Sequence, residues 1–110
     1  MNITSELHRS AIAISIVGDF TADDADQFRR IVGESINESS NIILDCKGVN
    51  LVDSVGLESF LWLSDELAKL GYQLRFANVS GNIKKIFEFT RLNRVLSVHE
   101  TVEQAARSLG

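Results

Sequence analysis

Short apolar stretches along the chain predict five β-strands. Isoleucines alternate with smaller residues from Ala11 to Val17, which indicates a strand with one heavily buried face. The weaker alternation from Ile3 to Leu7 predicts an edge strand that pairs with it. The apolar run inside Asn41 to Cys46 is too short for a helix and predicts a buried central strand. We expect two further strands at Gln73 to Ala77 and at Val95 to Val98.

Apolar residues spaced by three or four positions predict four helices after the second strand. The first helix is expected from Thr21 to about Asn37, because Thr21 is an N-cap that acids follow in the first turn. The second is expected from Ser54 to Leu70, with Gly71 as a left-handed C-terminal cap. Ser80 is the expected cap of the third helix, and Thr101 begins a capping box for the fourth. The residues expected to face the core are Ala25, Phe28, Val32 and Ile36 in the first helix, Ile83, Ile86, Phe87 and Thr90 in the third, and Val102, Ala105, Ala106 and Leu109 in the fourth.

The order of these elements predicts an α/β fold with a mixed, mostly parallel sheet of about five strands and four helices. The first strand is the expected antiparallel exception. With 110 residues, 45% of them apolar and 24% charged, the chain has the length and material of one domain, residues 1–110. It shows no secretory signal and no apolar run near the roughly 20 residues that cross a bilayer, so we expect a cytoplasmic protein without direct membrane insertion. The single cysteine, Cys46, lies in an apolar run and is expected to be a buried, inert thiol.

The polar residues argue against several classes of chemistry. Eleven Lys and Arg against 15 Asp and Glu give a formal net charge of −4, so nucleic acid is not an expected partner. The glycines have neither the spacing of a dinucleotide-binding loop nor that of a P-loop. His8 and His99 lie in opposite terminal segments without sequence-adjacent partners, and we expect both at the surface. We therefore predict a non-enzymatic protein with no catalytic residue, no metal and no cofactor.

Charge is distributed unevenly along the chain. Bases outnumber acids on and just after the third predicted helix, where the charged residues are Lys84, Lys85, Glu88, Arg91 and Arg94. This cluster is compatible with an acidic partner or with nucleic acid. A solvated helix face explains it more simply.

A polar pair, Asp53 and Ser54, lies where a loop is expected to enter the second helix. The first turn of a helix presents unpaired backbone N–H groups and a partial positive charge. A phosphate on Ser54 would be stabilised there and would add about −1.5 to −2 charges beside Asp53. Because Asp or Ser before a helix is also the commonest N-cap arrangement, capping alone explains the pair as well.

The second predicted helix carries a tryptophan on its polar side. The residues expected to form its core face are Leu57, Phe60, Leu61, Ser64, Leu67 and Ala68. Val55, Ser59, Trp62 and Glu66 follow one another at spacings of four, three and four, and we expect this row to be exposed. Tryptophan is enriched in interface hot spots, so the row suits a docking surface; burial of Trp62 under a neighbouring segment is the alternative.

Several segments, in this order, resemble the STAS domain family, the sulphate-transporter and anti-sigma-factor-antagonist group. They are Ile42-Ile43-Leu44-Asp45, Val52-Asp53-Ser54-Val55-Gly56-Leu57, and the stretch from Asn78-Val79-Ser80-Gly81-Asn82-Ile83 through Leu92 and Val95. The segment Gly18-Asp19-Phe20-Thr21 also resembles an early loop of the family. The resemblance covers nearly the whole chain and implies a single STAS-like domain.

The resemblance implies a protein-binding regulator of the anti-sigma factor antagonist type, whose partner is an anti-sigma factor serine kinase. In such partner-switching pathways the unphosphorylated antagonist captures the anti-sigma factor and frees the sigma factor. Phosphorylation of a hydroxyl after the motif aspartate breaks that capture. Carried over to this chain, the candidate phosphoacceptor is Ser54, and the expected partner-binding residues are Asp19, Thr21, Asp53, Ser54, Val55, Gly56, Ser59 and Trp62.

Val55 departs from the family pattern, because many members have a second hydroxyl residue at that position. Either Ser54 is the acceptor or the chain has none. Without an acceptor, the chain would be a constitutive STAS adaptor subunit, for example of a transport or signalling complex. A receiver-like domain with a phosphoaspartate at Asp45 or Asp53 is disfavoured, because the sequence supplies only Asp19 where such domains need a pair of magnesium-binding acids.

Overall fold

One five-stranded sheet organises the chain. The computed structural model describes residues 1–38 and 40–109. Its strands are β1 (Asn2–His8), β2 (Ala11–Val17), β3 (Asn41–Gly48), β4 (Leu74–Ala77) and β5 (Ser97–His99). Their order in the sheet follows the chain, β1-β2-β3-β4-β5. β1 pairs antiparallel with β2, and each later strand pairs parallel with its predecessor. The predicted mixed, mostly parallel sheet is confirmed.

The helices follow the strands along the chain in the predicted order. They are α1 (Ala25–Asn37), α2 (Ser54–Lys69), α3 (Gly81–Phe89) and α4 (Val102–Ser108), with short 3₁₀ helices at Ala22–Asp24 before α1 and Leu92–Arg94 after α3. The backbone N–H of Thr21 donates to the Asp24 carboxylate at 3.1 Å. The Thr101 hydroxyl accepts from the N–H of Gln104, also at 3.1 Å. Gly71 follows α2 with a φ of +82°, the left-handed conformation that its position predicts.

Apolar side chains cover the sheet on both faces. On one face α1, α2 and α3 pack around five fully buried phenylalanines, with neighbouring ring centroids 4.7 to 6.3 Å apart: Phe20, Phe28, Phe60, Phe76 and Phe87. On the other face α4 contributes Ala105 and Ala106, which pack with Ala11, Ile43 and Ala77 of the strands. Since β3 is covered from both sides, its apolar run is continuous and does not alternate.

The last strand begins later than the predicted Val95 to Val98. The N–H groups of Val95 and Leu96 both donate to the carbonyl of Leu92, at 3.0 and 2.7 Å. The chain therefore still turns at these residues, and it becomes extended only at Ser97. Val95 lies outside the sheet and is 69% exposed.

The buried face of α2 differs from the predicted one. Phe60 and Leu67 are buried as predicted, but Ala68 is exposed and Ser59 and Leu63 are fully buried. α2 contacts both α1 and β4, so it is covered from two directions and not along a single stripe. A periodicity argument that assumes one buried stripe misplaces such residues.

Candidate functional site

Two loops meet beside the ends of neighbouring strands β2 and β3. The N–H of Phe20 donates to the carbonyl of Leu51 at 2.8 Å, and the N–H of Asp53 donates to the carbonyl of Phe20 at 3.1 Å. Phe20 and Val52 thereby form an isolated parallel bridge. Because β2 and β3 are parallel, their carboxyl ends lie at the same edge of the sheet, and the loops that follow them become neighbours. The predicted early loop and the Asp53–Ser54 turn are therefore parts of one surface.

The carboxylate of Asp53 ties these two loops together. Its Oδ1 accepts the N–H of Gly56 at 2.9 Å, which caps the start of α2. Its Oδ2 accepts the N–H of Ala22 at 2.8 Å, on the other loop. The hydrogen bonds from Gly56, then Ala22 and then Val55 favour the charged form and lower the pKa of the Asp53 carboxyl. Asp53 is thus held as a carboxylate.

Gly56 allows the first turn of α2 to approach the other loop. The residue is buried, and a Cβ at this position would lie 2.6 Å from Val52 Cγ1 and 2.9 Å from the Phe20 carbonyl oxygen. The second of these atoms is backbone and cannot move aside cheaply. Glycine is therefore required by the close packing of the two loops, and its role is structural support of the site.

The predicted binding residues on this surface differ in accessibility. Ser54 is the first residue of α2 and its side chain is exposed, as is that of Asp19. Val55 is partly buried. Thr21 is also partly buried, and its hydroxyl donates to the Asp24 carboxylate at 3.3 Å. The structure therefore brings Asp19, Thr21, Ser54 and Val55 to one region around Asp53.

The predicted exposure of Ser59 is wrong. Its side chain is fully buried, and its Oγ donates to the carbonyl of Val55 at 3.0 Å. A serine can be buried at low cost when its hydroxyl bonds the backbone one turn earlier. In this position Ser59 has no surface to offer a partner.

Trp62 is partly buried. This lies between the two alternatives that the sequence leaves open, exposure on a docking surface and burial under a neighbouring segment. It packs against the apolar core, and the guanidinium carbon of Arg29 in α1 lies 5.0 Å from the centroid of its ring. Both residues line a shallow cleft of about 460 Å³ between α1 and α2. The cation–π contact orients the ring, and Glu66, also partly buried, lines the same cleft.

Two contacts of this region could not be read from the sequence. Ala22 contributes to the site through its backbone N–H, and a pattern of side chains does not reveal such a contact. Arg29 reaches Trp62 from a different helix, and the amphipathic pattern of α1 indicates only that Arg29 faces outward. Tertiary contacts of this kind leave no signal in a single sequence.

Asp45, the phosphoaspartate candidate in the receiver-like alternative, accepts hydrogen bonds from neighbouring residues of the fold. Its Oδ1 accepts from Asn78 Nδ2 at 2.9 Å and from the N–H of Lys47 at 3.1 Å. Cys46 follows Asp45 in β3. Burial of the Cys46 thiol, and to a smaller extent the charge of Asp45, raise its pKa to about 12. The prediction of a buried Cys46 is confirmed.

The two histidines are partly buried and not simple surface residues, contrary to prediction. His8 Nε2 lies 3.1 Å from Glu103 Oε2. His99 Nε2 is shielded from solvent and has no hydrogen-bond partner within residues 1–38 and 40–109. Loss of solvation, together with the charge of Arg75, lowers the pKa of His99.

In the part of the chain that the structure describes, no three His, Cys, Asp or Glu side chains form a group that could hold a metal ion. No helix in the same residues has the length and apolar character needed to cross a membrane.

The family model of the STAS domain matches residues 2–105, nearly the whole chain. The chain belongs to the STAS domain family. The resemblance of its strand, turn and loop segments is thereby confirmed. In this STAS domain, the surface around Asp53 contains the turn that carries the resemblance.

Solved structures place the fold among anti-sigma factor antagonists and transporters. An anti-sigma factor antagonist from Mycobacterium paratuberculosis is 17% identical, with a TM-score of 0.89 over 98% of this chain and 92% of that chain. The Bacillus cell fate determinant SpoIIAA in its phosphorylated form is 21% identical, with a TM-score of 0.73 over 99% of this chain and 100% of that chain. The murine anion transporter Slc26a9 is 18% identical, with a TM-score of 0.79 over 94% of this chain but 18% of that chain. At these identities the likeness establishes the fold, which is shared by a regulator and by part of a transporter.

Proposed function

We propose that this STAS domain is a non-enzymatic, protein-binding regulator of the anti-sigma factor antagonist type. Its partner is a cytoplasmic anti-sigma factor serine kinase, and phosphorylation of Ser54 weakens the complex in a partner-switching pathway that controls transcription. The antagonist from Mycobacterium paratuberculosis among the similar structures supports the class. The observation that carries the proposal is the double hydrogen bond of Asp53, which fixes the loop of Asp19 and Thr21 to the helix end of Ser54.

We define the docking surface as Asp19, Thr21, Ser54 and Val55. Asp53 and Gly56 hold it in shape through the contacts of the two loops. Trp62 lies further along α2, where it extends the surface toward α1. Ser59 is left out because its side chain is fully buried.

Phosphorylation acts on this surface through charge. The Ser54 side chain is exposed, so a kinase can reach it. A phosphate would add about −1.5 to −2 charges beside the Asp53 carboxylate and near Asp19. The modification would therefore change the charge of the surface at the point where Asp53 holds the two loops together. A partner that binds the neutral hydroxyl is then repelled or left with an unpaired group.

A pull-down from native lysate, with intact-mass measurement of the bait, tests the proposal. We expect one added phosphate on the wild-type chain and none on Ser54→Ala. Ser80→Ala is the matched control, because Ser80 is also an exposed serine at the start of a helix. We expect it to keep the phosphate.

The binding arm compares Ser54→Asp with the wild type, and we expect weaker capture of the partner by the variant. A phosphate that persists on Ser54→Ala refutes the assignment of the acceptor. Equal capture by both proteins, with no phosphate on either, would identify a constitutive adaptor.

A further inference from the structure

A second concave surface lies at the amino-terminal ends of β4 and β5. It is a cleft of about 420 Å³, and Ser64 and Ala68 of α2 form part of its wall. Its lining also includes Arg75, Asn93, Arg94, Val95 and Ser97. Among the described residues that line it, two are arginines and none is an acid.

This cleft is separate from the docking surface around Ser54. Ala68 follows Ser54 by fourteen residues on the same helix, which corresponds to about 21 Å along the axis at roughly 1.5 Å per residue. The cleft therefore lies near the opposite end of α2, and a partner bound at Ser54 would leave it open.

The segment of residues 84–94, whose last two residues line the cleft, carries an excess of positive charge. Its bases are Lys84, Lys85, Arg91 and Arg94, all exposed, and Glu88 is its one acid, so the segment carries a net charge of +3 in a chain whose net charge is −4. None of the four bases forms an ion pair within the described residues. Of these four bases, Arg94 lies in the cleft lining, where an unneutralised cation attracts a negatively charged partner.

Arg75 adds a second guanidinium, which has no carboxylate partner among residues 1–38 and 40–109. Its Nε donates to Ser108 Oγ at 2.9 Å, and its Nη1 donates to the carbonyl of Leu74 at 3.2 Å. The third partner is the side-chain oxygen of Gln73. All three acceptors are neutral, so they hold the side chain in place without neutralising it.

An apolar side chain is exposed next to Arg94 in the cleft lining. Val95 is 69% exposed and lines the cleft. It can contact an apolar group of a partner. The partner therefore needs acidic and apolar residues together.

We propose that this cleft binds an acidic segment of a partner protein that carries large apolar side chains. Its carboxylates pair with Arg94 and Arg75, because the planar guanidinium matches a carboxylate in two hydrogen bonds. Its apolar side chains pack on Val95. A peptide suits the site better than a bilayer surface, because the cleft is concave and offers hydrogen-bonding groups at Asn93 and Ser97. This site does not depend on the function proposed for Ser54.

The test is an amide-resolved NMR titration of the full, isotope-labelled chain with the synthetic peptide acetyl-Asp-Glu-Leu-Glu-Asp-Leu-amide, up to millimolar concentration. We expect shifts at residues 72–75 and 93–97. We expect Arg94→Glu to raise the Kd by about tenfold or more, since it replaces an attraction by a repulsion. Lys47→Glu is the control, because it makes the same charge change at an exposed residue near the carboxyl end of β3. It should leave the Kd within about twofold of wild type, because substitutions at sites that share no partner act independently of each other.

Four outcomes overturn the proposal. The first is the absence of shifts at these residues, and the second is an equal change of Kd in the two variants. The third is equal binding of a peptide in which Gln and Asn replace the acids. The fourth is binding of phosphatidylserine vesicles without binding of the peptide. Ser54→Asp should bind the peptide as wild type does, so failure of the Ser54 assignment and failure of this site are separately visible.

Discussion

Asp53 and Ala22 are joined across 31 residues of sequence by a hydrogen bond of 2.8 Å from the backbone N–H of Ala22 to Asp53 Oδ2. The other carboxylate oxygen caps α2 through the N–H of Gly56. One side chain therefore sets both the start of a helix and the position of the loop beside it. The exposed Ser54 has a fixed relation to Asp19 and Thr21 for this reason.

We expect Asp53→Ala to lower the melting temperature and to speed hydrogen exchange at both Gly56 and Ala22, because both amides lose their acceptor. Asp53→Asn retains one side-chain oxygen acceptor and can satisfy only one of the two amides, so its effect should be intermediate. Amide exchange followed by NMR measures this directly. Asp65→Ala, at an exposed position within α2, is the control and should leave both amides protected. Unchanged exchange at Ala22 in Asp53→Ala would show that the bond between the loops contributes nothing.

The lowered pKa of Asp53 predicts a pH-dependent contribution to stability. The folded pKa lies below the unfolded value, about 3.9, so the folded chain holds the proton less readily than the unfolded chain. The stabilisation is complete above that unfolded value and is lost as the pH falls through the folded pKa. The difference in unfolding free energy between wild type and Asp53→Asn should therefore be largest near neutral pH and shrink below about pH 4. Urea unfolding at several pH values measures it, and a difference independent of pH contradicts it.

The start of α2 could be predicted from the sequence because capping is local: an aspartate, a serine and a following amphipathic run suffice. The parallel pairing of β2 to β5 could also be predicted, because strands and helices alternate along the chain. The burial of Ser59 could not be predicted, because it depends on how the neighbouring elements pack on α2. The late start of β5 likewise depends on the turn at Leu92, where the apolar pattern of Val95 gives a misleading signal.

Gly56→Ala should destabilise the fold, since the new methyl group would lie 2.9 Å from the Phe20 carbonyl oxygen. Overpacking at a buried position of this kind costs about 1–3 kcal/mol of unfolding free energy. Gly33→Ala is the matched control, because Gly33 also lies in a helix but a Cβ there would have no neighbour within 4 Å. It should be neutral or stabilise by up to about 1 kcal/mol through helix propensity. Equal effects of the two substitutions, measured by chemical unfolding, would contradict the close approach at Gly56.

The contact of Arg29 with Trp62 predicts a change in fluorescence that separates packing from docking. Arg29→Ala uncovers one face of the sole tryptophan, so its emission should shift to longer wavelength and its quenching by acrylamide should increase. The loss of unfolding free energy should stay below about 1 kcal/mol, the usual size of an exposed cation–π contact. Arg30→Ala removes a neighbouring exposed charge without the stacked guanidinium and is expected to leave the emission unchanged. The same shift in both variants would mean that the contact does not cover the ring.

Cys46 provides a built-in reporter of unfolding. Its thiol is buried and its pKa is raised to about 12, so at pH 8 its thiolate fraction is more than about a thousandfold below that of a free cysteine with a pKa near 8.5. Because the thiolate is the reacting form, iodoacetamide should label the native chain only through unfolding, and a urea-unfolded sample should react at the rate of a free thiol. Gly56→Ala should therefore raise the native labelling rate exponentially with its loss of unfolding free energy, about tenfold for each 1.4 kcal/mol, while Gly33→Ala should not raise it. Rapid labelling of the folded wild type would contradict the buried, protonated state of Cys46.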